Sequence, residues 1–228
     1  MNFVRSLAAS VVLAVGSAAS GQTFFFTGTG AIPDGTGAAG VFGPARVLTA
    51  SSNVANPIQD VVVTITMNHT WVGDLRVRLG YTPAGSATTT TVVVMNRLGA
   101  SAPSGFGDNS DLNGTYTFVL GATSVLAGVQ AIGETGTLAT GAYAPVASNF
   151  DGTHSVIEFA DFLRGQFGTG AWTLTFEDAA ATDTGAVTSA SIALQARPLP
   201  CLADFNTDGV VNTADLTFFL GRFGNLCP

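Results

Sequence analysis

The stretch VVVTITMNHTWVGDLRVRL, Val61 to Leu79, decides the fold class. Val61, Val63, Ile65 and Met67 fall on one side of an extended chain, and Val62, Thr64 and Thr66 fall on the other. A few residues later Leu75, Val77 and Leu79 alternate in the same way with Arg76 and Arg78. Successive side chains of a strand point to opposite faces, so each segment predicts a strand with one core face and one solvent face. Working outward, Thr91 to Met95, Thr115 to Leu120, Trp172 to Phe176 and Ser189 to Leu194 predict further strands. Glycine turns such as Pro83-Ala84-Gly85 and Asp183-Thr184-Gly185 separate them. From Thr23 to about Leu194 strand follows strand, which predicts an all-β sandwich and excludes a βαβ fold. Only Glu158 to Arg164, with Phe159, Phe162 and Leu163 at helical spacing, suggests a few helical residues.

Composition agrees. Charged residues make up only 10% of the 228 residues and 28 are glycine, which favours short strands and tight turns over helices. All eight basic residues are Arg, twelve of the fifteen acidic residues are Asp, and the net charge is -7. Such a surface repels a phosphate backbone, and the Arg residues are scattered, so nucleic acid is excluded as a partner.

The N-terminus reads as an export signal, residues 1–21: Arg5, the apolar stretch Leu7 to Val15, then the small residues Gly16-Ser17-Ala18-Ala19-Ser20, with cleavage near Ser20 or Gly21. The apolar stretch is much shorter than the roughly 20 residues of a membrane span, and no later segment is long and apolar enough to anchor the chain. The expected product is secreted, extracellular or at the cell surface, with a sandwich over residues 22–196. A composition change at Arg197-Pro198-Leu199-Pro200 marks a stiff linker, residues 197–200, and residues 201–228 form a separate small module. Cys201 and Cys227 bracket that module, and in an oxidising compartment an isolated pair of this kind bonds. The bridge would close a loop of about 27 residues and contribute on the order of 3.5 kcal/mol.

Inside the module, DFNTDGVVNTAD, Asp204 to Asp215, has the residue types and spacing of an EF-hand-type calcium loop. Asp204 stands at position one, Asn206 and Asp208 at three and five, and Gly209 at the sharp turn. Val210 offers its carbonyl at seven, Asn212 stands at nine and Asp215 at twelve. Three carboxylates, two amides and a carbonyl suit a hard cation that takes roughly six to eight oxygens, so Ca2+ is the expected cofactor. Zinc would require His or Cys. Leu216, Phe219, Leu220 and Phe223 follow at i, i+3, i+4 and i+7, predicting an amphipathic helix that begins at Asp215.

Two resemblances rest on these residues. DFNTDGVVNTADLTFFLGRFG, from Asp204 to Gly224, resembles a single type I dockerin repeat, where two are usual. That likeness implies calcium-dependent folding and attachment to a cohesin-like or cell-surface protein. Ile32-Pro33-Asp34, HTWVGDLRVRL from His69, TPAG from Thr82, NGTYTF from Asn113 and GAWTLTFEDAAATDTGAVTSASIAL from Gly170 look like the ordered motifs of the P/Homo B domain. This second likeness implies a jelly-roll or galactose-binding-like β-sandwich of the kind found beside subtilisin-like catalytic domains. The stretch Ser148 to Gly168 departs from that pattern.

Catalytic constellations are thin. A serine peptidase would have only His69 and His154 as bases, no G-x-S-x-G elbow is present, and His69 at a strand end reads as a packing residue. Glu134, Glu158 and Glu177 are the only glutamates for a glycosidase pair, and nothing joins two of them. Asp108, Asp111 and Asn113 crowd GDNSDLNG, where an Asp-rich turn competes with a second metal site. Of the aromatics Trp71, Tyr81, Tyr143 and Trp172, strand alternation leaves only Trp71 for stacking a sugar. The leading expectation is a secreted, non-catalytic binding or accessory protein with a calcium-stabilised tail. The competing expectations are a part of a proteolytic or polysaccharide-degrading system, and a carbohydrate-binding module with a glycan as its partner.

Overall fold

The computed structural model describes residues 21–37, 40–119, 121–133, 135–150, 154–157, 159, 163, 166–196, 205 and 212–223. Residues 1–20 of the expected export signal and the linker at 197–200 lie outside them, and Gly21, the last residue of that expected signal, begins the first strand. Within them the chain is an all-β fold, one curled 12-stranded sheet with a few short helical segments.

The element that shapes it is β3, Arg46–His69, a 24-residue strand. Its first half, Arg46 to Pro57, pairs with β11, Phe167–Asp178. Its second half, Ile58 to His69, pairs with β12, Gly185–Ala196. The exchange of partners falls at Pro57, a residue with no N–H to give to a ladder. One half of the curled sheet then runs β3, β11, β4 (Leu75–Pro83), β5 (Thr90–Asn96), β9 (Val146–Ser148), β10 (His154–Val156). The other runs β1 (Gly21–Phe25), β12, β3, β6 (Asp111–Phe118). On this half β2 (Gly30–Ile32) pairs with β12, and β7 (Thr137–Leu138) and β8 (Gly141–Tyr143) pair with β6.

The inward faces of both halves form one core. Val61, Val63, Ile65 and Met67 of β3 meet Ile192 and Leu194 of β12 and Tyr116 and Phe118 of β6 in a cluster that also contains Leu48, Leu174, Phe176, Val77 and Leu79 from the other half. The period of two read from Val61 onward is therefore the period of burial. Helix α1, Val125–Ile132, was not foreshadowed by the sequence pattern. It starts where the Ser124 hydroxyl accepts from the Ala127 N–H, 3.1 Å. Phe159 and Leu163 are helical and fully buried, as their spacing suggested.

Candidate functional site

The same alternation that buries Val61 to Met67 carries His69 onto the core face, and the alternation Trp172, Leu174, Phe176 carries Asp178 there. The two meet from opposite halves of the sheet, His69 Nε2 lying 3.3 Å from Asp178 Oδ2. The ring is packed so closely that a Cβ on Gly185 would sit 2.4 Å from its Cδ2.

Between β3 and β4 a 3-10 turn, Val72–Asp74, is entered through Trp71 at φ 64 and pinned by Val72 N–H to Ser110 O and Gly73 N–H to Asp108 O, both 2.8 Å. A side chain at Gly73 would place its Cβ 2.4 Å from the Asp108 nitrogen. The turn delivers Asp74, fully buried, to Arg97, whose guanidinium lies 3.5 Å from Asp74 Oδ1. Arg97 donates from Nε to Gly73 O at 2.7 Å, from one terminal nitrogen to Pro103 O at 3.3 Å, and from the other to Gly105 O. Asp178 accepts from Ala180 N–H at 3.0 Å through Oδ1. Around them the 35–43 segment is tied on by Gly35 N–H to Ala180 O, Gly40 N–H to Ala179 O and Gly43 N–H to Asp178 O. His69, Asp74, Arg97 and Asp178 thus form a buried polar cluster that holds the loops at one end of the fold.

A cleft of about 230 Å³ opens beside this cluster, lined by His69 with Asn68, Thr70, Asp111, Asn113 and Thr184. The structure separates the residues of the GDNSDLNG loop. Asp108 accepts from Ser110 N–H at 2.9 Å and lines a different pocket, while Asp111 and Asn113 face the cleft. They do not converge on one metal. Glu177 is held by Arg76 and Arg78, each at 2.8 Å, and so is not half of a carboxylate pair with solvent access. Trp71 donates its indole N–H to Phe106 O at 2.9 Å and meets the Phe106 ring edge-on, fastening the 97–110 loop. Tyr81 lies against Trp172 in the core, and Tyr143 donates to Ala139 O.

Of the calcium-loop residues, Asp204, Asn206, Asp208 and Val210 lie outside the described residues, as do Cys201 and Cys227. Asn212 and Asp215 are described. They build a capping box at the start of α2, Thr213–Arg222: Asn212 Oδ1 accepts from Ala214 N–H at 2.6 Å and Asp215 Oδ2 from Asn212 N–H at 2.8 Å. Asp215 is only 2% exposed although the helix around it is open to solvent. A nearly buried carboxylate at position twelve fits a calcium ligand, and an Asn at position nine that caps the helix fits a ligand acting through water.

No family model, curated protein or solved structure matches the chain. Its function is read from its own residues. Asp74, Arg97 and Asp178 were missed by the motif reading, yet two of the four cluster residues carried a legible signal, since strand parity alone puts His69 and Asp178 inside. Arg97 carried none: it follows a strand at φ 49, and its burial comes from a loop that closes over it.

Burial pushes the Asp74 carboxyl up to about 6; Arg97 opposes this, and Asp183 and Asp178 add to it. The folded state therefore holds this proton more tightly than the unfolded chain, whose ordinary value is 3.8. The stability it contributes is complete below about pH 4 and is lost as pH rises through 6. Glu177 works in the opposite sense. Burial raises it, but the hydrogen bonds and charges of Arg76 and Arg78 outweigh burial and hold it below its ordinary value, so its contribution is lost on strong acidification. Between pH 5 and 7 the urea midpoint of the wild type is expected to fall more steeply with pH than that of Asp74→Asn. Coincident slopes would show that another group titrates.

Proposed function

We propose that the chain is a secreted, non-catalytic binding protein. A P-domain-like β-sandwich recognises a ligand, and a calcium-folded, dockerin-like tail attaches it to a cohesin-like or cell-surface partner. The observation that carries the tail is Asp215. Its carboxylate is 2% exposed, accepts from the Asn212 N–H in the capping box, and stands at the loop position where a calcium ligand belongs. Beyond it Leu216, Leu220 and Phe223 are exposed, and Phe219 stacks between Phe205 and Phe223 at 5.0 and 5.7 Å, an apolar face suited to docking. What supports the sandwich is the placement of the motif residues: HTWVGDLRVRL forms the end of β3, the turn and β4, and its His and Asp are the buried anchors of the polar cluster. With its ring packed on Gly185 and its Nε2 facing Asp178, His69 holds the fold together and is not a base presented to substrate.

Calorimetry of the full chain tests this reading. One Ca2+ is expected to bind, with Mg2+ a poor substitute, and Asp208→Ala to abolish the heat. At a free Ca2+ about 100-fold above its Kd the tail should gain about 2.7 kcal/mol, measured as hydrogen-exchange protection of α2 that EDTA removes. Absence of both the heat and the calcium-dependent protection would overturn it.

A further inference from the structure

The outer face of the β1–β12–β3–β6 half is rich in hydroxyls and amides. Register fixes which residues share it. Thr64 lies between Ser191 and Thr117, Thr66 between Ser189 and Thr115, and Asn68 between Ala186 and Asn113. Phe25 lies opposite Ser191, so the first of these rows begins with an aromatic ring that is 75% exposed. From Val62 to Asn68 the outward positions of β3 and their partners on β12 and β6 carry no charge, in a protein of net charge -7.

The hydroxyls are ordered in pairs. Thr64 and Thr117 meet at 3.2 Å through Oγ1, and Thr66 and Thr115 at 3.0 Å. In such a pair one hydroxyl donates to the other, so the acceptor keeps its own hydrogen and the donor keeps its lone pairs. Each pair therefore presents an outward donor and acceptors in fixed positions. Asn68 Oδ1 is held by Ala186 N–H at 2.8 Å, which fixes its amide at the edge of the cleft. The row ends at the cleft of about 230 Å³, where Thr70, Asp111, Asn113 and Thr184 add polar groups.

From the paired hydroxyls, the exposed ring and the polar cleft at the end of the row, we infer that this face binds a neutral polysaccharide. Sugar hydroxyls take the Thr and Asn groups, and an apolar ring face stacks on Phe25. Asp111 in the cleft and Asp60 at the far end of the β3 row disfavour an acidic glycan. The inference deepens the binding-protein reading and rests on it, but it places the glycan on residues other than Trp71.

Native affinity electrophoresis of the full chain in gels containing hydroxyethylcellulose, xylan or galactomannan, with polygalacturonate as the acidic probe, tests it. Retardation by at least one neutral polymer is expected. Phe25→Ala and the double variant Thr66→Ala/Thr115→Ala should each weaken it about fivefold to tenfold, with an unchanged melting temperature because both lie on the solvent face. Migration of both variants like the wild type, retardation by polygalacturonate instead, or no retardation by any neutral polymer would each overturn it. The readout is independent of calcium binding, so the tail and the face fail separately. Loss of viscosity in a retarding polymer would overturn the non-catalytic reading while leaving the face in place.

Discussion

Arg97→Ala is expected to cost about 3–5 kcal/mol, since it breaks a buried ion pair by removing one partner. Arg97 is 1% exposed, and its guanidinium serves the carbonyls of Gly73, Pro103 and Gly105 together with the Asp74 carboxylate. Truncation would leave three carbonyls and a fully buried carboxylate without their donor. It would also release the 97–110 loop, which Arg97 holds from inside while Trp71 holds it from outside. Against a total stability of about 5–15 kcal/mol for an ordinary domain, the loss is large. Arg97→Lys keeps the charge but cannot reach several acceptors in different directions, so it should fall between wild type and Ala. Adding Asp74→Ala to Arg97→Ala should cost less than the sum of the single changes, because the second removes the charge the first strands. Urea titration at pH 7 measures the four variants, Asp74→Ala included, against wild type. A loss below about 1 kcal/mol for Arg97→Ala would mean that water replaces the guanidinium and that the cluster does not hold the loop.

The alternation in Val61 to Leu79 was sufficient for the all-β class because half-buried strands record burial directly in their side-chain period. It also extended, unnoticed, to His69 and Asp178, which sit at the next inward positions after Met67 and Phe176. What it did not show is the length of β3. The segment Arg46 to Asp60 contains Asn56-Pro57, which reads as a break, and in the fold that break is where the strand passes from one half of the sheet to the other. Short strands such as β7 and β8 were invisible for a different reason: two or three residues cannot display a period, and they exist because β6 offers them an edge. The Arg97 site depends on where Gly73, Pro103 and Gly105 come to rest, which is tertiary information. In the tail the reverse holds. The capping box at Asn212 and Asp215 is local, spaced by three residues, and the helix start at Asp215 is legible in the sequence.

The other large effect is expected at the centre of the fold. Trp172→Ala should cost about 3–5 kcal/mol, the usual range for emptying a large aromatic site. β11 is flanked by β3 on one side and β4 on the other, and Trp172 is its largest fully buried side chain. The indole stacks on Tyr81 with ring centroids 4.3 Å apart and donates to Ser52 Oγ at 2.8 Å, while Ser52 in turn donates to Gly168 O. Tyr81 donates to Thr169 O at 3.0 Å, so the ring that would border the new cavity is itself fixed and cannot swing in to fill it. The two contributions separate by substitution. Trp172→Phe keeps most of the stacking and loses the hydrogen bond, whereas Ser52→Ala keeps the stacking entirely and should cost about 1 kcal/mol. If packing dominates, the order of loss is Trp172→Ala, then Trp172→Phe, then Ser52→Ala. In a chain of this length the first should lower the melting temperature by roughly 6–20 °C. A Trp172→Ala protein that melts within about 3 °C of wild type would mean that the two halves of the sheet are not held through this core. The glycan-binding face gives a further check, since it lies on the half that Trp172 does not occupy. A destabilised but folded Trp172→Phe protein should be retarded in a neutral-polysaccharide gel as strongly as wild type, showing that the core sets stability while the Thr and Asn rows set recognition.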